Sequence, residues 1–255
     1  MEGRSRSETG LSSVRNAARL LKEFSRHDRE LGVSELARRL DLSTSSVHRI
    51  LGTLTEERLL DRVPTGRYRL GLALFDLGSA VGAALDLHEA ALPVMAALRA
   101  TTGETVQLAV LDGLESVYID RLESPHTVRI FSRVGTRLPA TTTSTGKVLL
   151  AALPEAELAA RLEGWRPHRA TPRSIVDPAV LRARLREVAE RGWAENREES
   201  RIGVMSVGAP VRDRADDVIA ALSVAAPTDR AAPDVLRRLR AAVVEAAAVV
   251  SHRLG

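Results

Sequence analysis

Residues 31–60 read LGVSELARRLDLSTSSVHRILGTLTEERLL, and this stretch decides the fold of the first part of the chain. Residues 34–40 have the apolar spacing of a short amphipathic helix, with Ser34 placed to cap its start. A break of three residues, 41–43, separates it from a second helical pattern over residues 44–58. Two short helices joined by such a tight turn are typical of a helix-turn-helix motif.

The second helix of this pair is predicted to have one apolar and one polar face. At 100° per residue, its apolar side chains cluster within about 100° of one another and are expected to face a core: Val47, Ile50, Leu51 and Leu54. The opposite face carries small hydroxyls, one His and one Arg, and it has no acidic residue before Glu56. Small side chains let a helix approach a groove closely, and Arg can bind phosphate or the O6/N7 edge of guanine. A solvated helix surface is the alternative for this face alone.

A basic hairpin is predicted directly after that helix. Residues 59–63 and 67–70 are strand candidates around the turn PTG at residues 64–66, and Arg62, Arg67 and Arg69 are expected near its tip. Such a wing after a recognition helix indicates DNA binding, although winged modules also serve protein–protein contact. The candidate DNA-binding residues are Ser43, Thr44, Ser45, Ser46, His48, Arg49, Arg62, Thr65, Arg67 and Arg69. Ser45, His48 and Arg49 are the predicted base contacts, with Thr44 and Ser46 near phosphates.

Upstream of this motif, residues 12–27 predict a first helix that Ser12 or Ser13 caps. Its apolar positions at helical spacing are Val14, Ala17, Ala18, Leu21 and Phe24. The formal net charge of +4 lies entirely in residues 1–71, which carry 14 basic and 10 acidic residues, whereas residues 72–255 carry 23 of each. A basic excess on a small module is the electrostatic pattern expected of a DNA-binding domain.

Length and composition restrict the remaining possibilities. A chain of 255 residues is long enough for two ordinary domains. The absence of cysteine excludes disulfides, thiolate zinc sites, iron–sulfur clusters and cysteine nucleophiles. No apolar run approaches the ~20 residues of a membrane span, and residues 1–10 lack the apolar core of a signal peptide. We therefore expect a cytoplasmic protein without a membrane partner.

The second part of the chain contains a hydroxyl-rich stretch, GTRLPATTTSTGKVLLA at residues 135–151. Unpaired backbone N–H groups and the positive dipole end make a helix start here a candidate carboxylate site. An ordinary Ser/Thr-rich helix cap is the alternative. A phosphate-binding P-loop is excluded, because Thr141 stands where its first Gly is required and Val148 replaces the magnesium-binding hydroxyl. Neither GxSxG nor HExxH occurs, so we expect no catalytic residues, no metal site and no cofactor.

The remaining elements predict an antiparallel-rich α/β domain. Residues 72–87 form an apolar helix suited to packing on a second helix, and hence to dimerisation. The next helix carries Pro93 in its first turn, where proline is tolerated. Strands are expected at 105–111, 116–122, 127–131, 193–197, 204–211 and 218–225. Further helices are expected from residue 177 to 191, by the cap-then-proline rule, and from Asp229 or Pro233 to His252. The acidic run Glu195, Glu198 and Glu199 predicts a solvated turn.

Four stretches, in the same order along the chain, resemble the IclR family of bacterial transcription regulators. They are residues 31–60, the wing RYRLG at 67–71, residues 135–151, and RGWAENREESRIGVMSVGAPV at 191–211. The resemblance covers essentially the whole chain. It implies an α/β (α+β) protein with a winged helix-turn-helix over residues 1–71, a linker helix over 72–88 and a GAF-like effector-binding domain with an antiparallel-rich sheet over 89–255. It also implies a homodimer, or a dimer of dimers, on a palindromic operator in double-stranded DNA.

The resemblance further implies where an effector binds. Family members hold small organic acids, partly through backbone amides that correspond to Ser144 and Thr145. The candidate effector-binding residues are Leu138, Thr143, Ser144, Thr145, Asn196, Ser206, Ser223 and Ala225. Asn196 stands where the family has an acid, Ser206 where it often has Cys, and Ala225 at one of two polar strand positions. These departures predict a small organic acid with an apolar or aromatic body.

Two alternatives from other functional classes remain open at this stage. One is an enzyme whose GAF-like domain acts on a small acid. The other is a sensor whose winged module binds a protein in place of DNA.

Overall fold

The computed structural model describes residues 11–24, 30–83, 86–127, 130 and 133–255. The chain divides into two compact units, Met1–Ala84 and Leu85–Gly255. Within the described ranges, no helix has both the length and the apolar character needed to cross a membrane.

The first unit is a winged helix-turn-helix. It contains α1 (Ser12–Glu23), α2 (Val33–Leu40), α3 (Thr44–Glu56), β1 (Leu60–Arg62), β2 (Tyr68–Leu70) and α4 (Ala73–Ala83). The two strands pair antiparallel, with Leu60 opposite Leu70, and Leu31 forms a further antiparallel bridge with Tyr68. The segment ahead of α2 thus extends the hairpin sheet. The predicted order of helix, turn, helix and hairpin is confirmed.

The core of this unit is built from one face each of α1, α2 and α3 and from the hairpin. Its fully buried side chains include Leu20, Leu36, Val47, Leu51 and Leu60. The predicted apolar face of α3 is correct, with Ile50 at its half-buried edge.

The predicted face of α1 is correct in part. Phe24 is buried, and Ala17 and Leu21 pack against the core. Leu20, which was not predicted, is fully buried, whereas Val14 is 62% exposed. The predicted and the observed apolar positions both recur at helical spacing. Which of them are buried depends on where the neighbouring helices lie, and periodicity does not report that.

The helix caps predicted for α1 and α2 are wrong. Ser12, Ser13 and Ser34 do not cap, because Leu11 and Gly32 are the N-cap residues of α1 and α2 and no side chain accepts a bond there. Ser34 lies inside the first turn of α2, two residues after the N-cap position, where its hydroxyl cannot serve as the cap. The predicted apolar helix over residues 72–87 ends at Ala83, and Leu87 begins the next helix.

The second unit is a six-stranded sheet with helices on both faces. Its strands are β3 (Thr105–Asp112), β4 (Glu115–Leu122), β5 (Arg137–Pro139), β6 (Ala194–Arg197), β7 (Val204–Arg212) and β8 (Val218–Pro227). Its helices are α5 (Leu87–Thr102), α6 (Ser144–Ala151), α7 (Glu155–Leu162), α8 (Pro178–Arg191) and α9 (Pro233–Leu254). The strand order is β5-β4-β3-β8-β7-β6, and every neighbouring pair is antiparallel. This agrees with the expected antiparallel-rich α/β domain.

The two faces of this sheet differ in chemistry. One face packs Val106, Leu108 and Val224 against α5 and α9 in the main core of the unit. The opposite face is contacted by α6 and includes one row of register partners that is mostly polar: Thr105, Ala225, Ser206 and Asn196. Since side chains alternate between faces along a strand, the polar row lies opposite the apolar core. The sheet thereby places buried polar groups beside α6.

Several predicted details of this unit need correction. Pro93 is the seventh residue of α5, beyond its first turn, because the helix begins at Leu87. Pro93 is exposed, so the core does not pack around it. The strand predicted over residues 127–131 lies largely outside the described residues. Helix α8 begins as predicted, with Asp177 Oδ1 accepting from the backbone N–H of Ala179 at 2.7 Å.

Candidate DNA-binding surface and ligand pocket

The N-terminal end of α3 is formed by Ser43. Its hydroxyl accepts a hydrogen bond from the backbone N–H of Ser46 at 3.2 Å and donates to Ser46 Oγ at 2.8 Å. A cap of this kind satisfies one of the free amides of the first turn and defines where the helix begins. The start of α3 is therefore held in place by its own side chains while remaining at the surface.

The outward face of α3 is exposed and carries no acid before Glu56, the last residue of the helix. Its exposed residues are Thr44, Ser45, Ser46, His48, Arg49, Gly52 and Thr53. Neither Arg49 nor His48 has an ion-pair partner among the residues that the structure describes. Gly52 has no atom within 4 Å of the position where a Cβ would stand, so the face is open as well as small. This arrangement leaves the guanidinium of Arg49 available to an external phosphate or base edge.

The three wing arginines have different environments, which the sequence could not show. Arg67 Nη2 donates to the carbonyl of Glu30 at 2.7 Å and to Glu35 Oε2 at 3.1 Å, so it fastens the hairpin to the start of α2. Arg69 Nε lies 3.3 Å from Asp61 Oδ2. Arg62 is exposed, and we find no ion-pair partner for it in the described ranges.

The tip of the wing is a tight turn. Gly66 has a φ of 78°, a left-handed conformation that glycine adopts without strain, and Thr65 beside it is exposed. Of the three arginines expected near this tip, Arg67 and Arg69 are paired with acids, whereas Arg62 has no such partner among the described residues and can contact an external group.

A cavity of about 90 Å³ lies on the polar face of the second unit. It is lined by Gln107, Tyr118, Ile130, Thr136, Leu138, Thr143, Asn196, Ser200, Arg201, Val204, Ser206 and Ala225. Five of the predicted effector residues come together there: Leu138, Thr143, Asn196, Ser206 and Ala225. The side chains of Ser144, Thr145 and Ser223 are buried but are not part of the lining.

The side chains of Ser144 and Thr145 hold the start of α6 against the sheet. Ser144 Oγ lies 2.8 Å from Ser206 Oγ, and Thr145 Oγ1 lies 2.7 Å from Ser116 Oγ. Thr143 caps the helix, since its Oγ1 accepts from the backbone N–H of Gly146 at 2.9 Å. A Cβ at Gly146 would come within 2.3 Å of the backbone of Ala140, so only glycine fits. The first amides of α6 are consequently fixed at the edge of the cavity.

Tyr118 supplies a hydroxyl to the cavity wall. Burial raises the pKa of the Tyr118 phenol, and this effect outweighs a hydrogen bond with Thr145 and the charge of Arg121, which act in the opposite direction. The phenol therefore stays protonated at neutral pH. Its ring offers an apolar surface to a ligand, and its oxygen is part of the hydroxyl cluster at the start of α6.

The loop after β6 forms another wall, and it is anchored by a buried charge pair. Lys147, from α6, places its Nζ 2.6 Å from both carboxylate oxygens of Glu199. Burial lowers the pKa of Lys147, while the charge and hydrogen bonds of Glu199 oppose that shift. The prediction of a solvated acidic turn is therefore wrong. Glu195 lies in β6, and the side chains of Glu195, Glu198 and Glu199 are only 16%, 17% and 12% exposed.

Several lining residues were not identified from the sequence. Gln107 stands between the apolar residues Val106 and Leu108, and Tyr118 stands in the neighbouring strand. Alternation along the strands could therefore have placed both on the polar face. The other lining residues that were missed come from loops and strand ends: Ile130, Thr136, Ser200, Arg201 and Val204. No periodic pattern marks positions of that kind.

Comparison with known proteins gives matches over nearly the whole chain. A model of the IclR helix-turn-helix domain matches residues 13–64, and a model of the bacterial transcriptional regulator IclR C-terminal domain matches residues 79–252. The HTH-type transcriptional regulator XynR of Escherichia coli is 36% identical over 246 residues, which cover 96% of this chain and 98% of XynR.

Solved structures agree with this result. An IclR transcriptional regulator from Alicyclobacillus acidocaldarius superposes with a TM-score of 0.84 at 32% identity, covering 96% of this chain and 100% of that one. An IclR homologue from Microbacterium hydrocarbonoxydans, solved in complex with 4-hydroxybenzoate, gives a TM-score of 0.83 at 30% identity, covering 95% of this chain and 99% of that one.

Proposed function

The chain belongs to the IclR family of bacterial transcriptional regulators, and from this premise we propose that it binds a palindromic operator in double-stranded DNA and responds to a small organic acid. Its homologues are transcriptional regulators and not enzymes. The observation that carries the DNA-binding part is the exposed outer face of α3, which has no acid before Glu56.

In this proposal α3 lies in the major groove. Ser45, His48 and Arg49 contact base edges, while Thr44 and Ser46 lie near phosphates. Arg62 and Thr65 of the wing reach the adjacent backbone. The anchoring of Arg67 to Glu30 and Glu35 supports a positioning role for this residue, since it sets the angle at which the wing leaves the domain.

The effector is proposed to place a carboxylate at the start of α6. The backbone amides of Ser144 and Thr145 lie in the first turn of that helix, beside the lining residue Thr143, and the helix dipole favours an anion there. The apolar part of the cavity wall, which is formed by Ile130, Leu138, Val204 and Ala225, would hold the carbon skeleton. The Tyr118 ring supports the expectation of an apolar or aromatic body.

The functional unit is proposed to be a homodimer or a dimer of dimers. It is proposed to act in the cytoplasm, where the chromosome lies. Two recognition helices then read the two half-sites of the operator. The effector changes the operator affinity by a coupling free energy of about 1–3 kcal/mol, because it binds one arrangement of the two reading heads better than the other.

The DNA-binding proposal is tested by selecting binding sites from a random duplex library with the full chain. The selected duplex and a shuffled duplex are then titrated at two salt concentrations. We expect a selected palindrome bound about 10³-fold or more tightly than the shuffled duplex, with both affinities falling as salt rises.

Arg49→Ala should lower the preference for the selected duplex by about 10-fold or more, because each recognition helix loses one base contact. Arg186→Ala removes one exposed charge from α8 in the second unit and serves as the matched control, which should keep the preference. Failure of the wild-type chain to enrich any sequence would overturn the proposal.

A further inference from the structure

We propose that Arg201 forms a second anion-binding subsite at the mouth of the ligand cavity, so that the effector is an organic acid with two carboxylates. The inference rests on the proposed effector function of this cavity and specifies the chemical class of its ligand. Arg201 lines the cavity together with Thr143, yet it is exposed, which places its guanidinium at the opening.

The acids nearest in the chain to Arg201 are already paired with other cations. Glu198 Oε2 lies 3.0 Å from Arg173 Nη1, and the other Glu198 oxygen accepts from the backbone N–H of Gly203 at 2.8 Å. Glu199 is bound by the buried Lys147. Within the described ranges we find no carboxylate at ion-pair distance from Arg201. The cation at the cavity mouth is therefore left for a ligand.

The loop that carries Arg201 is held rigidly. Asn196 Oδ1 accepts from the backbone N–H of Glu199 at 2.8 Å, and Asn196 Nδ2 donates to Ser200 Oγ at 3.0 Å. On its outer side, Ser174 Oγ donates to the carbonyl of Glu199 at 2.7 Å. Because the backbone is fixed before binding, little order has to be created there when an anion arrives.

The cavity wall thus offers two recognition points for negative charge. One is the start of α6, where backbone amides receive the first carboxylate; the other is the planar guanidinium of Arg201, which can bind a second carboxylate through two parallel hydrogen bonds. Between them the row of Asn196 and Ser206 supplies polar contacts along the floor. A monocarboxylate would leave the guanidinium solvated, whereas a diacid of suitable length would use both points.

The test is calorimetric titration of the full chain, without DNA, with straight-chain acids of equal carbon number. The pairs are succinate and butyrate, glutarate and valerate, and adipate and hexanoate. We expect at least one diacid to bind about 10-fold more tightly than its monoacid partner, as one charge-assisted contact at an exposed site allows. The preference should shrink as salt rises.

Variants assign that preference to Arg201. In Arg201→Gln the diacid preference should fall below about 2-fold, while Arg201→Lys should keep part of it through its charge. The control Arg197→Gln removes an exposed arginine of the same segment that is paired with Glu195 and does not line the cavity. It should behave as wild type.

The inference is overturned if no diacid binds more tightly than its monoacid partner, including the case in which none of the acids binds. It is also overturned if Arg201→Gln keeps the preference. Because this titration contains no DNA, its result is independent of operator selection. A diacid that binds through Arg201 but never alters operator affinity would count against the proposed function alone.

Discussion

The ion pair of Lys147 and Glu199 joins two residues that are buried to different depths. The Lys147 side chain is 1% exposed and that of Glu199 is 12% exposed. A charge left without its partner costs more the deeper it lies, because desolvation is then no longer offset. Removing Glu199, which leaves the more deeply buried charge unpaired, should therefore lower the free energy of unfolding more than removing Lys147.

Glu199→Gln is expected to destabilise the second unit by about 3–5 kcal/mol, and Lys147→Met by less. Without Glu199 the pKa of Lys147 falls further, since the charge that opposed the effect of burial is gone. Between that lowered pKa and the ordinary value of 10.5, the unfolded chain binds more protons than the folded chain. The stability of the variant is therefore lost as pH falls through this window.

Denaturant unfolding of both variants at several pH values measures these differences. Equal costs for the two variants, or a Glu199→Gln stability that is independent of pH, would show that the pair does not act as described.

Arg67 and Arg62 provide a matched comparison on the wing. Arg67→Ala should lower the stability of the first unit by about 1 kcal/mol, because the carbonyl of Glu30 and the carboxylate of Glu35 lose a donor. Arg62→Ala should change stability by less than about 0.5 kcal/mol. It should weaken DNA binding uniformly across sequences and reduce the salt slope by about 1.

Thermal unfolding and salt-dependent titration separate these two effects. A large stability loss in Arg62→Ala, or none in Arg67→Ala, would reverse the roles that we give them.

For single residues, the sequence predicts exposure correctly where the face of a helix determines it. The polar face of α3 followed from the 100° rotation alone. The pairing of Arg67 with Glu35 and of Lys147 with Glu199 joins residues 32 and 52 positions apart, and no local pattern encodes such contacts.

At the scale of elements, α3 depends on its cap. Ser43→Ala removes the acceptor of the Ser46 amide and should cost about 1 kcal/mol in the stability of the first unit. Thr44→Ala removes a hydroxyl from the same exposed turn and should cost less than about 0.5 kcal/mol. Circular dichroism melts of the two variants measure this difference, and equal melting temperatures would argue against the capping role.

Element types were easier to predict than element boundaries and orientation. The strands of the sheet and the cap of α8 followed from alternation and from the Asp-Pro pair at residues 177 and 178. The buried face of α1, the end of α4 at Ala83 and the short strand β5 did not, because tertiary contacts decide them. Strand β5 has three residues and pairs only with β4, so its own sequence carries little information.

At the scale of the whole molecule, α4 and the residue before it present large apolar side chains to solvent. Leu72, Phe75 and Leu77 are 71%, 69% and 59% exposed. Large exposed apolar side chains that follow one another along a helix favour association with a partner. We propose that a second copy of the chain covers them in the homodimer.

Phe75→Glu is expected to weaken the dimer, raising its dissociation constant about 30-fold or more, as the loss of an aromatic interface anchor does. Acid binding in the second unit should be unaffected. Val180→Glu places the same charge at a half-exposed apolar position of α8 and is the matched control. Sedimentation velocity over a concentration series measures the dissociation constant of each variant. If the dimer is equally stable in both variants, the interface lies elsewhere.

The most direct test of the whole account pairs single base-pair changes in the selected half-site with the Arg49→Ala variant. If α3 reads base edges, the wild-type chain should lose about 1–3 kcal/mol of binding free energy when one G·C pair is exchanged, and the variant should be insensitive at that pair only. If the wild type and Arg49→Ala lose the same free energy at every position, then α3 does not read the operator and the account is wrong.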